Sequence, residues 1–356
     1  MSGGGNRTTG GAVRRINLAL QGGGAHGAFT WGVLDRILDA PDIEVAAISA
    51  TSAGAMNAAA FKSGFVAGGR DGARAALADF WNKVAGTGSL VPDAIRDWLT
   101  AITPPLPVVA ALAEANPIYH AGTLLSRMVS PYDVNPGNFH PLRAIVDRMD
   151  FGNICGTDGP SLHIAATNVR SGKIRIFEGD QISTDAILAS ACLPTLYQAV
   201  EIPDKSGEMQ AYWDGGYMGN PALFPLFKSP SRDILIVHIN PIERDTVPKS
   251  AAEIENRINE VSFNATLLRE LRAIDYVQRL LDADVIAETD KRRLFIHSVA
   301  DDATMTQIGV ATKLSPSPAL ITQLRAAGYA AMDRFLRDDG DKIGKNSSCD
   351  LRAMFA

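Results

Sequence analysis

The chain contains 356 residues, of which 46% are hydrophobic and 21% are charged. This balance is typical of a globular protein with a substantial core and excludes a disordered, collagen-like or coiled-coil chain. The net charge is −5 and no dense block of Lys and Arg occurs, so the composition favours neither a nucleic-acid partner nor a polybasic membrane tether.

The N-terminal stretch, MSGGGNRTTGGAVRR, is polar and rich in glycine, and it lacks the apolar segment of a signal peptide. No run of about 18 apolar residues predicts a membrane-spanning helix. Cys155, Cys192 and Cys349 are scattered outside any CxxC spacing, which favours a reducing compartment and no zinc site. We therefore expect a flexible leader over residues 1–14 and a cytoplasmic protein that is at most peripheral to a membrane.

Two strand–turn–helix units open the predicted fold. The apolar run Arg15–Gly22 ends in glycine and predicts a buried strand, and apolar residues at steps of three and four predict a helix over Ala25–Leu38. A second strand is predicted over 43–49, followed by an Ala-rich helix from about 54 to 67. Two such units in succession predict parallel strands with helices packed against them.

Residues 70–150 predict mainly helix in a less regular pattern. Within them, the apolar segment 98–112 is either a lid or acyl-chain rim that meets lipid, or a loop and helix packed on the core. Further strands are predicted at 162–169, 173–178, 209–213 and 234–239, the first two forming a hairpin.

The pattern beyond residue 241 is mainly helical. Helical spacing over 251–283 predicts one long helix or two abutting helices, which we interpret as core packing. A strand over 294–299, a helix near 318–335 and a frayed end complete the chain. The predicted fold is a three-layer α/β/α sandwich with a central, mostly parallel sheet and a largely helical C-terminal portion over 241–356, packed on the same fold.

The segment Ala50-Thr-Ser52-Ala-Gly54 stands between a strand and a helix and approximates the G-x-S-x-G pattern of a nucleophilic serine. Small flanking residues are needed there because the serine occupies a sharp turn between the strand and the helix. The helix N-terminus then offers its dipole to developing negative charge. Ala50 replaces the first glycine, and we expect the turn to tolerate the added methyl group.

Three consecutive glycines, Gly22, Gly23 and Gly24, follow the first predicted strand. Their unobstructed backbone N–H groups suit an anion, either a phosphate or the oxyanion of a tetrahedral intermediate. A dinucleotide site requires an acidic residue near the end of the second strand, and a P-loop requires GKS or GKT, and both are missing. The oxyanion interpretation is therefore favoured.

Asp214 ends a predicted strand and precedes Gly215 and Gly216. An isolated Asp-Gly pair is usually only a turn. Together with Ser52 and the glycine-rich segment, however, this carboxylate completes the nucleophile, base and oxyanion stabiliser that acyl transfer requires.

These motifs resemble the patatin-like phospholipase family, whose pattern combines GGGxxG, GxSxG and DGG or DGA. Two further blocks agree: 189–200 resembles the family's AS-x-x-x-P block, and 214–221 resembles its DGG-x-x-x-N stretch. The resemblance covers about residues 15–240, which would then form the catalytic domain, and no family motif falls in the last third of the chain.

The resemblance implies a serine acyl hydrolase in which Ser52 is the nucleophile, Asp214 its partner in a Ser-Asp dyad, and Gly22 to Gly24 the oxyanion loop. Supporting roles fall to the small residues of the turns, namely Ala50, Ala53, Gly54, Gly215 and Gly216. The implied substrate is a lipid ester, such as a phospholipid or lysophospholipid, with transient contact to a membrane surface. No cofactor, metal, nucleic acid or protein partner is implied.

Three alternatives stay open at this stage. The chain could be a catalytically silent lipid-binding relative, an esterase for a storage polyester, or a nucleotide-binding protein that uses the glycine-rich segment. His26 could contact a phosphate or cap the following helix. His238 and His297 follow Asp214 in the chain and so permit a Ser-acid-His triad, which we consider less favoured than the dyad.

Overall fold

The computed structural model describes residues 13–87, 104–116, 129–289 and 291–355. Eight strands form one sheet: β1 (Arg14–Leu20), β2 (Ile43–Ala50), β3 (Ser161–Asn168), β4 (Ile174–Glu178), β5 (Val200–Pro203), β6 (Met209–Asp214), β7 (Asp233–Val237) and β8 (Phe295–Val299). Residues 1–12 of the predicted leader lie outside the described residues. Arg14, the last residue of that leader, is the first residue of β1.

The longer helices among the described residues are α1 (Ala28–Leu38), α2 (Ala53–Thr87), α3 (Leu106–Glu114), α8 (Ala251–Asp282) and α11 (Pro318–Asp338). Shorter helices are α4 (Pro131–Val134), α5 (Arg143–Val146), α6 (Phe151–Cys155), α7 (Thr184–Ser190), α9 (Asp302–Met305), α10 (Val310–Leu314) and α12 (Leu351–Phe355). None of the described helices combines the length and apolarity needed to cross a bilayer.

The sheet has the order β5-β6-β3-β2-β1-β7-β8, with β4 paired to β3 outside this path. Strands β3, β2, β1, β7 and β8 run parallel, and β4, β5 and β6 join by antiparallel pairing. The carboxyl ends of β1 and β2 lie side by side, because Leu20 pairs with Ala50. The turns that carry the glycine-rich and serine motifs are therefore neighbours.

Alternating side chains of the strands bury two opposite faces of the sheet. On one face, Leu18 and Leu20 belong to a large core cluster shared with α1, α2 and α11. On the other face, Ala19 and Ile234 pack against Leu267 of α8 in a smaller cluster. The predicted three-layer α/β/α architecture is confirmed.

Helix α2 is longer than the predicted 54–67. It continues to Thr87 across a kink at Gly68 and Gly69, where Gly69 has a φ of +61°. Trp81 lies in the part of α2 that follows the kink. It is buried and stacks on Trp31 of α1, with the ring centroids 6.4 Å apart. Tertiary packing therefore extends the helix past two glycines that would end an isolated one.

The predicted frayed end is wrong. The backbone N–H of Gly344 donates to Asp233 Oδ1 at 2.7 Å, and the N–H of Ser348 donates to the Ile296 carbonyl at 3.1 Å. These bonds hold the polar C-terminal residues against β7 and β8, and α12 follows them.

The predicted lid or rim segment, 98–112, lies partly outside the described residues. Its described part enters α3, which buries Leu106 and Val109 in the core and exposes Val108 and Leu112. This part of the segment is thus packed on the fold along one side.

Candidate active site

Ser52 occupies the turn between β2, which ends at Ala50, and α2, which begins at Ala53. Its φ of +54° is a left-handed conformation that non-glycine residues adopt rarely and at an energetic cost. The backbone N–H of Ser52 donates to Ser190 Oγ at 2.9 Å. Because Ala50 is still an extended strand residue, its methyl group fits the fully buried last position of β2.

Close packing explains the glycines around this turn. A Cβ on Gly54 would lie 2.5 Å from the Leu20 carbonyl oxygen, so glycine lets the start of α2 approach the end of β1. A Cβ on Gly22 would lie 2.5 Å from Ser52 Cβ. The glycine-rich turn after β1 is therefore in direct contact with the serine.

Asp214 reaches the same place from the end of β6. Its backbone N–H donates to the Cys192 carbonyl at 2.8 Å, and its carbonyl accepts the Thr167 hydroxyl at 2.9 Å. The Asp214 side chain is 1% exposed, and its Oδ1 accepts the Gly216 N–H at 2.7 Å. The hydroxyl of Ser52 lies beside the same carboxyl group and acts to lower its pKa.

Burial raises the pKa of Asp214 from 3.8 to about 7, against the opposing effect of the bonds from Gly216 and Ser52. Desolvation disfavours the carboxylate, while hydrogen bonds to it favour the charged form. Because burial has the larger effect, Asp214 is a much stronger base than an ordinary aspartate and titrates near neutral pH.

The three glycines differ in the use of their backbone N–H groups. Gly22 donates to Asn220 Oδ1 at 2.6 Å, so its N–H is already engaged. Within the described parts of the chain, the N–H groups of Gly23, Gly24 and Ala53 have no acceptor. Of the three glycines predicted to form the oxyanion loop, Gly22 thus has an engaged N–H group, whereas the other two and Ala53 have N–H groups without an acceptor in the described chain.

Buried amide side chains hold the glycine-rich turn in place. Gln21 Oε1 accepts the backbone N–H groups of Ile239 and Asn240, at 2.9 and 3.0 Å, and its Nε2 donates to Asn264 Oδ1 of α8 at 3.0 Å. Asn240 Nδ2 donates to the Gly22 carbonyl at 2.9 Å. The turn therefore depends on residues after β7 and on α8.

Lys313 of α10 is a further support of this turn. Its carbonyl oxygen would lie 2.3 Å from a Cβ on Gly24, which itself has a φ of +59°, so only glycine fits there. Its Nζ donates to Asn240 Oδ1 at 2.8 Å and to Asn259 Oδ1 at 2.7 Å. Burial lowers the pKa of Lys313 to about 8.

Helix α8 also covers the turn that follows Asp214. A Cβ on Gly216 would lie 2.2 Å from Phe263 Cε1, and the rings of Phe263 and Tyr217 are 5.9 Å apart. A Cβ on Gly215 would meet the Ala165 carbonyl oxygen at 2.2 Å. Both glycines are thus required by close contacts, one with α8 and one with β3.

The histidines take other places. His26 is 2% exposed, and its Nε2 lies 2.7 Å from Thr312 Oγ1, which donates its own hydrogen to the Gly309 carbonyl. Burial and the nearby Lys313 hold the pKa of His26 well below its usual value, so the neutral ring donates to Thr312. This contact gives His26 a structural role, but not the predicted one, because no side chain caps the helical turns that follow the three glycines.

His297 Nε2 lies 2.9 Å from Asp233 Oδ1 at the first residue of β7, the end opposite the glycine-rich turn. The ring nitrogens of His238 have no hydrogen-bond partner among the described residues. Neither contact set includes Ser52, so the dyad stays the better-supported arrangement. The structure describes no group of three or more His, Cys, Asp or Glu side chains, within its described ranges, that could hold a metal ion.

The residues that sequence reasoning assigned no role fall into two groups. Ser190 and Asn220 lie inside blocks that already resemble the family pattern, so those blocks were the available signal. Phe263, Asn264 and Lys313 carry no local motif, and only the folded chain brings them to the site.

A family model described as patatin-like phospholipase matches residues 18–227. A solved structure of VipD from Legionella pneumophila is similar to this chain at 14% identity, with a TM-score of 0.39, over 92% of this chain and 67% of VipD. No curated protein matches the chain at a significant level. Because the family model spans more than half of the chain, including the glycine-rich turn, Ser52 and Asp214, the protein belongs to the patatin-like phospholipase family, whose members in general hydrolyse lipid esters.

Proposed function

We propose that this protein is a serine acyl hydrolase that cleaves carboxylic ester bonds of lipids through a dyad of Ser52 and Asp214. The observation that carries the proposal is the placement of the Ser52 hydroxyl beside the buried Asp214 carboxyl, where it lowers the pKa of that group, next to backbone N–H groups without acceptors in the described chain. Acyl transfer requires a nucleophile, a base and oxyanion donors that lie close together.

In the first half of the reaction, the Asp214 carboxylate accepts the hydroxyl proton as Ser52 Oγ attacks the ester carbonyl. The tetrahedral intermediate collapses to an acyl-serine, and Asp214 returns the proton to the departing alcohol. In the second half, water attacks the acyl-serine while Asp214 accepts its proton. The acid leaves, and the proton returns to Ser52 Oγ.

The raised pKa of Asp214, about 7, suits this work. A general base is most effective when its pKa lies near the working pH, because a substantial fraction is then ionised while the group is still strongly basic. An exposed aspartate would be ionised at pH 7 but would have little affinity for the serine proton.

The oxyanion of each tetrahedral intermediate is stabilised by the N–H groups of Gly23, Gly24 and Ala53. Ala53 is the first residue of α2, so the positive end of the helix dipole also faces the developing charge. Removing a single such donor in other acyl-transfer enzymes lowers kcat by about 10²–10³-fold. Asn220 contributes indirectly, because it fixes the orientation of the first glycine peptide.

We assign phospholipids or lysophospholipids as the substrate class. Large apolar side chains follow Asp214 at the surface: Tyr217, Met218 and Phe224 are 43%, 39% and 46% exposed. Apolar side chains in this position can meet acyl chains or a lipid surface beside the dyad. We infer that contact with a membrane is transient and occurs through this segment.

The dyad is tested with a fluorophosphonate probe, which labels an activated serine, and with hydrolysis of p-nitrophenyl butyrate. Wild type should be labelled and active, Ser52→Ala should lose both properties, and Asp214→Asn should lower kcat/KM by about 10³-fold or more. Ser206→Ala and Asp180→Asn change exposed residues of the same types and should leave both readouts unchanged. Retained turnover in Ser52→Ala or Asp214→Asn rejects the assigned roles.

A substrate panel tests the assignment of lipid class. Phosphatidylcholine and lysophosphatidylcholine vesicles or micelles should release fatty acid faster than triacylglycerol or a storage polyester. Preferential cleavage of the polyester would replace the phospholipid assignment. A wild-type protein that binds lipid vesicles, but is neither labelled nor active, would be a catalytically silent relative.

A further inference from the structure

A cavity of about 340 Å³ lies at the carboxyl ends of β7 and β8, lined by residues that follow these strands and by residues of the C-terminal segment. Asn240 lines the cavity and also donates to the Gly22 carbonyl, so one side chain contacts both the cavity and the glycine-rich turn. The lining includes three carboxylates, from Glu243, Asp302 and Asp350, and otherwise mainly small or apolar side chains.

His238 lines the same cavity and is 3% exposed. Neither of its ring nitrogens has a hydrogen-bond partner among the residues that the structure describes. Burial lowers the pKa of His238 to about 4, so the ring is neutral at pH 7 and offers one N–H donor and one acceptor nitrogen. Buried polar groups are nearly always paired, which indicates that the cavity receives a hydrogen-bonding partner for this ring.

The carboxylates give the cavity a negative field. None of them forms an ion pair with a basic residue in the described ranges, because the basic groups nearby have other partners. Arg244 pairs with Glu260 at 2.5 Å, and Lys313 donates to Asn240 and Asn259. Burial raises the pKa of Asp302, and the carboxylates of Asp301, Glu243 and Glu260 raise it further. A cation in the cavity would relieve this repulsion.

The shape of the site selects the kind of cation. The carboxylates and His238 do not converge within the distances of one metal coordination sphere, since the described residues contain no such group. The volume is at the lower end of the roughly 300–1,000 Å³ typical of ligand pockets. Ile242, Ala300 and Met354 add apolar surface that an alkyl chain could cover.

We propose that this cavity binds a small primary alkylammonium ion, which donates an N–H to the acceptor nitrogen of His238 in the field of the three carboxylates. The charge is matched by the carboxylates, the N–H by the imidazole and the short alkyl chain by the apolar wall. The proposal is independent of the hydrolase activity, because no dyad residue lines the cavity.

Calorimetric titration of the full chain with n-butylammonium chloride at pH 7.5 tests the ligand class. We expect saturable binding of one ion per chain, weakened by added salt because the attraction is electrostatic. The neutral analogue 1-butanol should give no saturable binding. Tetramethylammonium, which carries the charge without an N–H, should bind at least tenfold more weakly. Equal binding of 1-butanol, or no binding of n-butylammonium up to about 10 mM, overturns the proposal.

Variants test the location. His238→Leu removes the acceptor, and the double variant Glu243→Gln/Asp302→Asn removes two charges; each should weaken n-butylammonium binding at least tenfold. Glu201→Gln, an exposed change on β5, should bind as wild type does. Asp350 is left unchanged because its carboxylate accepts the Arg352 N–H at the start of α12. If His238→Leu does not fold, the double variant decides, and unchanged affinity in it places the ion elsewhere and refutes the site.

Discussion

Replacing Asp214 with asparagine changes only the ionisable group of the proposed dyad. The amide oxygen can still accept the Gly216 N–H, so the turn keeps its bond. In wild type the folded carboxyl has a pKa of about 7, whereas the unfolded chain has the ordinary value of 3.8. Between these values the folded state holds a proton that the unfolded state has lost, so the free energy of unfolding falls as pH rises.

The size of this effect follows from the two pKa values. At about 1.4 kcal/mol for each pH unit, titration of this carboxyl should lower the free energy of unfolding of the wild type by up to about 4 kcal/mol between pH 4 and pH 7. In Asp214→Asn this contribution should be absent. The variant should therefore be more stable than wild type at pH 8 and close to it at pH 4.

Urea unfolding followed by tryptophan fluorescence at pH 5, 6, 7 and 8 measures the difference. Asp180→Asn, an exposed control, should differ from wild type by the same small amount at every pH. A gap between Asp214→Asn and wild type that does not widen from pH 5 to pH 7 would refute the reasoning. The carboxyl would then have an ordinary pKa, and burial would not be preparing it as a base.

Three further predictions follow from the same contacts. The kcat/KM of wild type for p-nitrophenyl butyrate should rise with pH to a midpoint near 7, falling about tenfold per pH unit below it, and a midpoint near 4 would exclude Asp214 as the base. Gly54→Ala places a Cβ 2.5 Å from the Leu20 carbonyl oxygen, and urea unfolding should show a free energy of unfolding lower by about 1–3 kcal/mol. Asn220→Ala removes the acceptor of the Gly22 N–H and should lower kcat more than it raises KM, whereas an unchanged kcat would show that this bond does not organise the oxyanion loop.

Short-range patterns were sufficient to predict most of the sheet. Strands β1, β2 and β7 are buried apolar runs that end close to where glycine or polar residues interrupt them. Strand β5 was missed because Val200–Pro203 is a four-residue edge strand with no apolar run of its own. The ordered C-terminus was missed because its partners, Asp233 and Ile296, lie far away in the sequence.

The site divides in the same way. Ser52 and Asp214 were predictable because a strand-end serine or aspartate flanked by small residues is a local signal. The partner that fixes the Ser52 backbone, Ser190, lies 138 residues away, and the partner of the Gly22 N–H, Asn220, lies 198 residues away. Contacts at such separations leave no periodicity, so sequence reasoning identifies candidate reacting groups and misses the contacts that hold them in place.

The dependence of the glycine-rich turn on the last third of the chain has a consequence for how the protein is divided. The family model ends at residue 227, but Gln21 and the Gly22 carbonyl are bonded by Asn240 and Asn264, which lie beyond it. Strand β8, also beyond it, pairs with β7 in the same sheet. A chain cut at residue 240 would lose β8 and the Asn264 contact, and each buried polar group left unpaired would cost about 1–3 kcal/mol. We therefore expect residues 241–356 to fold with 15–240 as one unit. The glycine-rich turn should form only when both parts are present.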